Sequence, residues 1–263
     1  MRLTLADIPR GSGITTPMLL DIGNTNLKWC LFYEGRFDTI HSVSHRDRSF
    51  SDVADECWSG IAPPTDIIVS NVAGHAMHGA LQQWVQDNWN LEPYFVEAHD
   101  CAFGVKNGYR TPGQLGVDRW LTLIAVHNRL NQSACIVDCG TAVTIDVLQA
   151  DGLHKGGLIL PGFNLMRESL LDRTHIPRVS VALESPLLGT DTETAVASAS
   201  LHATAALIER VMDYMSVQLN GPIVLVMTGS DAPRMRTLLK VESQVIPDLV
   251  ISGLALIARE RTP

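Results

Sequence analysis

One pattern, met twice, constrains this chain more than any other. Met18-Leu-Leu-Asp-Ile-Gly-Asn-Thr-Asn-Leu-Lys-Trp-Cys-Leu-Phe reads as a short apolar strand, a polar glycine-containing turn and a second strand ending near Tyr33. Ala134-Cys-Ile-Val-Asp-Cys-Gly-Thr-Ala-Val-Thr-Ile-Asp-Val repeats it, with Asp138 standing 117 residues after Asp21. A duplicated strand-turn-strand unit mixed with helical segments predicts an α/β protein of two related lobes rather than one continuous sheet. The boundary is expected near residue 120, giving an N-terminal lobe over 18–119 and a C-terminal lobe over 120–263. Residues 1–17, with Pro9, Gly11, Gly13 and Pro17 and no sustained period, read as an N-terminal extension whose deletion should be tolerated.

The repeated turn has a physical use. Glycine after an apolar strand lets backbone N–H groups approach phosphate oxygens, and a neighbouring aspartate can organise a hydrated cation. Asp-x-Gly is also ordinary turn chemistry, so it is the duplication with similar flanks that points both turns toward one nucleotide. A third junction, Ile223-Val-Leu-Val-Met-Thr-Gly-Ser-Asp-Ala, stops an apolar run at a small polar turn suited to the flat face of a base. Asp66 to Val72 predicts a further strand, Ala76 to Trp89 a helix, and Leu201 to Leu219 an amphipathic helix. Trp84 and Trp89 read as packing groups, and the methionines of the last helix as core filler.

Composition narrows the function classes. Twenty basic against twenty-eight acidic residues give a formal charge of −8, which repels a phosphate backbone or an anionic bilayer. Neither nucleic acid nor a membrane is therefore expected as a partner. Ile223 to Met227 and Leu249 to Ala258 are the longest strongly apolar runs, well short of the roughly 18 residues that span a bilayer. With no export signal visible at the start, a soluble chain is expected. Five cysteines without a Cys-x-x-Cys pair fit reduced thiols in a cytoplasm better than a disulfide framework or a zinc site. The His41/His45 and His75/His78 pairs have helical spacing but no acidic or sulfur partner at a metal-motif distance, so no histidine metal site is expected. Asn131-Gln-Ser reads as a chance sequon. The P-loop, the dinucleotide Gly-x-Gly-x-x-Gly and the Gly-x-Ser-x-Gly elbow are all missing.

What remains is Tyr109-Arg-Thr-Pro-Gly-Gln-Leu-Gly-Val-Asp-Arg-Trp, which gathers a phenol, a carboxylate and two guanidiniums within twelve residues. That composition suits a small anionic ligand: Asp118 as acceptor of a hydroxyl proton, Arg119 for a carboxylate or a transferring phosphate. A surface ion pair is the plainer alternative.

At these residues the chain resembles the type III pantothenate kinases, members of the actin/hexokinase/Hsp70-like phosphotransferase superfamily. The resemblance runs in order through Asp21-Ile-Gly-Asn-Thr-Asn-Leu-Lys28, Tyr109-x-x-Pro-x-x-Leu-Gly-Val-Asp-Arg119, Asp138-Cys-Gly-Thr-Ala142, Gly156-Gly-Leu-Ile-Leu-Pro-Gly162, Leu188-Gly-Thr-Asp-Thr192 and Thr228-Gly-Ser-Asp231. It implies two RNase H-like (actin-like ATPase) lobes with ATP in the cleft between them. It also implies a homodimer, Mg²⁺ and a monovalent cation, K⁺ or NH₄⁺. Carried onto this chain, it makes Asp21, Ile22, Gly23, Asn24, Thr25, Asn26, Leu27 and Lys28 the first ATP loop, with Asp21 near Mg²⁺ through water. Thr141 becomes the second ATP contact and Asp138 the monovalent-cation ligand. Tyr109, Gly116, Val117, Asp118 and Arg119 become the pantothenate site, with Thr192 contributed across the dimer and Asp118 the general base. The implied reaction is phosphorylation of pantothenate to 4′-phosphopantothenate, the first committed step toward coenzyme A.

Three departures stand out. The extension over 1–17 is extra. Ser230 replaces the second glycine of Thr-Gly-Gly, placing a β-carbon where a positive φ or a closely approaching nucleotide favours glycine. Ala199 stands where the family's helix commonly carries glycine. Two other readings stay open at this point: a related kinase for another small hydroxyl substrate, and a nucleotide-binding accessory or regulatory protein without turnover.

Overall fold

The computed structural model describes residues 16–176 and 186–261. The expected extension lies outside the described residues except for Thr16 and Pro17. Both of these are tied to the fold: Thr16 N–H donates to Thr65 Oγ1 at 2.9 Å, and the Pro17 carbonyl accepts from Phe32 N–H at 2.8 Å.

The chain packs into two compact units. Among the described residues, one comprises those up to Asp100, Tyr109–Ala125 and those from Leu249 onward, the other Cys101–Gly108 and those between Val126 and Asp248. The division expected at 119/120 thus falls inside α3 (Val117–Arg129), and neither unit is contiguous. The reason is hydrophobic. The apolar face of α7 (Leu249–Arg261), carrying Ile251, Leu254 and Ala258, is buried against Leu19, Cys30, Phe32 and Ile68 of the first unit's sheet.

The repeat in the sequence is a repeat of topology. In the first unit β1 (Met18–Ile22) pairs antiparallel with β2 (Asn26–Tyr33) and parallel with β5 (Ile67–Asn71), which pairs parallel with β6 (Tyr94–Phe95). β3 (Arg36–Phe37) and β4 (His41–Ser44) continue the antiparallel side. In the second unit β9 (Ala134–Cys139) pairs antiparallel with β10 (Ala142–Leu148) and parallel with β12 (Val224–Thr228), which pairs parallel with β13 (Ser243–Val245). β11 (His154–Pro161) is the antiparallel edge, and β7 (Cys101–Ala102) pairs antiparallel with β8 (Val105–Lys106) in a separate two-stranded sheet. The central parallel strand β5 reads as a continuous apolar run because both its faces are covered.

Helices fill the two faces. α1 (Phe50–Trp58), capped by Ser49 Oγ accepting from Asp52 N–H, and α2 (His75–Trp89) bury Phe50, Trp58, Leu81 and Trp84 against Leu20, Ile22, Trp29 and Val69. Trp84 and Trp89 are packing groups, as expected: Trp58 meets both rings at 5.3 and 5.8 Å, and Trp84 Nε1 donates to Asp55 Oδ1 at 2.7 Å. In the second unit α5 (Thr192–Gln218) begins nine residues before the expected start. Asp191 caps it, accepting from Thr194 N–H at 2.9 Å. Met212 lies in the core there and Met215 packs against it, with α4 (Phe163–Arg173) and α6 (Ala232–Arg236) completing the layers. No described helix is long and apolar enough to cross a membrane.

Candidate active site

The first repeated turn is the short loop that joins β1 to β2. Gly23 N–H donates to the Asn26 carbonyl at 3.0 Å across the hairpin, where Asp21 stands opposite Lys28. Asp21 also stands beside Ser70 of β5. Registered neighbours share a face, so Lys28, Asp21 and Ser70 form one row across the sheet. Leu19, Cys30 and Ile68 lie on that same face, packed beneath Val117 and Leu121 of α3 and Ile251 of α7. The row therefore belongs to the sheet face on which α3 sits.

The N-terminus of α3 carries the second group of expected residues. Pro112–Gln114 make one turn of 3₁₀ helix, and Gly116 leads into α3, its carbonyl accepting from Trp120 N–H at 2.9 Å. Asp118 Oδ1 accepts from Arg119 N–H at 2.7 Å, an anion on the first-turn amides where the helix dipole favours it. Gly116 lies under that carboxylate: a β-carbon there would stand 2.6 Å from Asp118 Oδ1. Arg119 is only 4% exposed, and its Nη1 donates to Tyr109 Oη at 2.7 Å. Asp21 to Lys28, Tyr109 and Gly116 to Arg119 all lie in the first unit.

The second repeated turn lies in the other unit. Thr144 and Thr228 flank Asp138 in the register. Gly140 N–H donates to the Ala142 carbonyl at 3.0 Å, and Gly162 N–H to the Thr141 carbonyl at 2.9 Å. Gly162 and Gly229 are held tightly: a β-carbon on the first would run into the Gly140 and Thr141 carbonyls, and on the second into Asp138 Oδ1 and the Cys139 carbonyl. The positive φ of the third junction, 91°, falls on Gly229. Ser230 is not among the positive-φ residues, so the backbone strain expected there does not arise. Burial raises the Asp231 carboxyl above its ordinary value, with Arg234 acting in the opposite direction. The Cys139 thiol is pushed up to about 12, first by burial and then by Asp138 and Asp231, which leaves it inert as a nucleophile.

Thr192 is the first residue of α5, and it is exposed. Gly189 before it packs onto the Thr194–Ala195 backbone, fixing how the Leu188–Thr192 segment enters the helix. Ala199 is also exposed on α5. Among the described residues no group of three or more His, Cys, Asp or Glu is gathered as a metal site. His41 stacks on Trp29 with ring centroids 4.3 Å apart, and His78 on Phe95 at 3.6 Å. The motifs contain no sign of Ser70, whose buried hydroxyl joins the Asp21 row; Asp231, which closes the Thr228-Gly-Ser-Asp231 motif without an expected role, enters the second turn through its N–H to the Cys139 carbonyl at 3.1 Å.

Comparison with known proteins places the chain in a family. A family model described as type III pantothenate kinase matches residues 17–214. A type III pantothenate kinase of Nitrosococcus oceani is 38% identical over 249 residues, covering 92% of this chain and 94% of that protein. Among solved structures, a Campylobacter jejuni protein described as a conserved Baf family transcriptional activator superposes with a TM-score of 0.59 at 20% identity, covering 92% of this chain and 98% of that one. A Sinorhizobium meliloti protein described as a 2-dehydro-3-deoxygalactonokinase gives 0.59 at 14% identity, over 94% and 99%. The two structural likenesses show a shared fold. The family match and the extent of curated similarity show the rest: the chain belongs to the type III pantothenate kinase family.

Proposed function

We propose that phosphorylation of pantothenate by ATP, the activity of this family, is carried in this protein by Asp118 as general base. The observation that supports the reading is the placement of Asp118 and Arg119 at the head of α3, on the sheet face that carries Asp21 and Lys28. In this mechanism Asp118 Oδ2 takes the proton of the primary hydroxyl of pantothenate. That oxygen forms a bond to the γ-phosphorus as the bond to the β,γ-bridging oxygen breaks, leaving ADP and 4′-phosphopantothenate. Oδ1 is engaged by Arg119 N–H, which holds the carboxylate in one orientation. Arg119, in its buried pairing with Tyr109, meets the carboxylate end of pantothenate, with Gly116 and Val117 lining the approach. The 21–28 loop receives the ATP phosphates, Lys28 as a point charge and Gly23 to Asn26 through the backbone, while Thr141 supplies a second ATP contact.

The donor set fits the cations that this chemistry uses. Asp21, in the row with Lys28 and Ser70, is the carboxylate that would hold Mg²⁺ through water, as suits an ion that keeps most of its water. The charge that such an ion would supply there is positive charge against the phosphates. Asp138, beside the carbonyl-rich turn closed by Gly140, Gly162 and Gly229, is the ligand proposed for K⁺ or NH₄⁺. The protein is further proposed to act as a homodimer in which Thr192 serves the partner's pantothenate site. Leu187 and Leu188, 72% and 81% exposed just before Thr192, support a covered surface there. Five free cysteines support a reducing cytoplasm as its compartment.

The test is ADP release by the purified protein with ATP, Mg²⁺ and pantothenate, with and without K⁺, and the product identified by mass. Turnover that needs pantothenate and rises with K⁺ is expected. Folded, nucleotide-binding protein without turnover would overturn the reading in favour of an accessory role, which the full-length similarity to curated pantothenate kinases does not favour.

A further inference from the structure

His45 belongs to one of the histidine pairs in which no metal site was expected, and the structure gives it a different task. It follows β4, is 8% exposed, and places Nε2 2.7 Å from the carbonyl oxygen of Gly23 in the first ATP loop. A carbonyl only accepts, so Nε2 carries the proton and donates it. The backbone holds the same place: His45 N–H donates to the Thr25 carbonyl at 3.1 Å, and Ser44 Oγ donates to that carbonyl at 3.4 Å. His45 is thus fastened to the loop at Gly23 and at Thr25, the two positions that flank Asn24, once by its side chain and once by its main chain.

The consequence follows from the planarity of the peptide. In a trans peptide the C=O and the following N–H point in opposite directions. Holding the Gly23 carbonyl toward His45 turns the Asn24 N–H to the other edge of the loop. Gly23 has the least intrinsic preference of any residue type for one peptide orientation, and Asn24 is exposed, so the side chain of His45 supplies an orientation that the loop residues do not impose.

We propose that His45 is a positioning residue for ATP: its imidazole fixes the Gly23–Asn24 peptide so that the Asn24 N–H is presented to the phosphates. The proposal rests on the reading that the 21–28 loop binds ATP. It concerns a residue that lies outside that loop in sequence and reaches it only through the pairing of β4 with β2.

The test separates the side chain's donor from its bulk. Glutamine carries an N–H donor at the same reach as Nε2, whereas asparagine carries one only as far as Nδ1, and alanine carries none. Every substitution keeps the main-chain bond to Thr25. His45→Ala and His45→Asn are expected to raise the KM for ATP about three- to tenfold, the loss of one hydrogen bond, while the KM for pantothenate stays within twofold. His45→Gln is expected to restore the ATP value, all assays being run well below each variant's Tm. An unchanged KM for ATP in His45→Ala, an equal rise for both substrates, or equal ATP values for His45→Gln and His45→Asn would overturn the proposal. If His45→Ala does not fold, the glutamine and asparagine variants decide. Lys28→Met is the control on the underlying reading. If it raises the KM for ATP and the His45 variants do not, the proposal alone fails; if Lys28→Met has no effect, the loop's assignment to ATP fails with it.

Discussion

Nη1 of Arg119 donates to the phenolic oxygen of Tyr109 at 2.7 Å, tying the first turn of α3 to a residue ten positions earlier. The guanidinium is almost wholly buried, so the phenol both satisfies a donor and sets the plane that the charge presents. Tyr109→Phe removes this acceptor from a buried guanidinium. The KM for pantothenate should rise about tenfold with the KM for ATP unchanged. Arg119→Lys loses the planar fork as well and should cost more, about 10- to 100-fold. Steady-state kinetics with each substrate varied in turn check both, and an effect falling on ATP instead would remove this pair from the pantothenate site.

Asp118→Asn probes the base. Asparagine keeps an oxygen to accept from Arg119 N–H, so α3 should form as before. The general base is lost, and kcat should fall about 10²- to 10⁴-fold, with Tm and both KM values little changed. Circular dichroism beside the kinetics makes the distinction, and retained kcat would reassign the proton acceptor.

How far the sequence disclosed this molecule depends on what each feature needs. Local patterns were readable: the strands on either side of Asp21 and Asp138 stand where the apolar runs put them, and their duplication is the topology of both sheets. Features set by distant packing were not. α7 joins the first unit because Ile251 and Leu254 meet Leu19 and Ile68, a match that no local period contains. Nor does any spacing rule join His45 to Gly23, 22 residues away. His154 and Asp146, fully buried and paired at 2.8 Å in the second unit, lacked a motif altogether. At the third junction the motif was recognised but its strained residue was misplaced by one, since the left-handed backbone sits on Gly229.

That placement gives opposite expectations for neighbouring residues. Gly229→Ala puts a β-carbon 2.5 Å from Asp138 Oδ1 at a φ of 91°. It should destabilise by about 1–3 kcal/mol and weaken nucleotide binding with it. Ser230→Gly relieves no strain, so it should leave ATP affinity within twofold and lower stability by about 0.5–1 kcal/mol through the freer unfolded chain. Thermal melts and nucleotide titrations distinguish the two, and a gain in ATP affinity for Ser230→Gly would restore crowding by the serine side chain as an explanation.

Asp231 predicts the pH dependence of the same corner. Burial raises its carboxyl in the folded protein above the ordinary 3.8, Arg234 offsetting only part of this. A raised folded value means that the neutral acid favours folding: that contribution is complete below the unfolded value and is lost as pH rises through the folded one. At neutral pH the buried carboxylate therefore destabilises the fold. Its side chain makes no capping bond at α6, so Asp231→Asn forfeits none. The variant should melt higher than the parent at pH 7, by about 1–3 °C for a chain of this size. The difference should shrink as pH falls toward 4 and close below it. Melting curves from pH 3 to 8 check the sign, and a variant less stable at pH 7 would mean that the Asp231 carboxylate is held by a cation or donor that outweighs its burial.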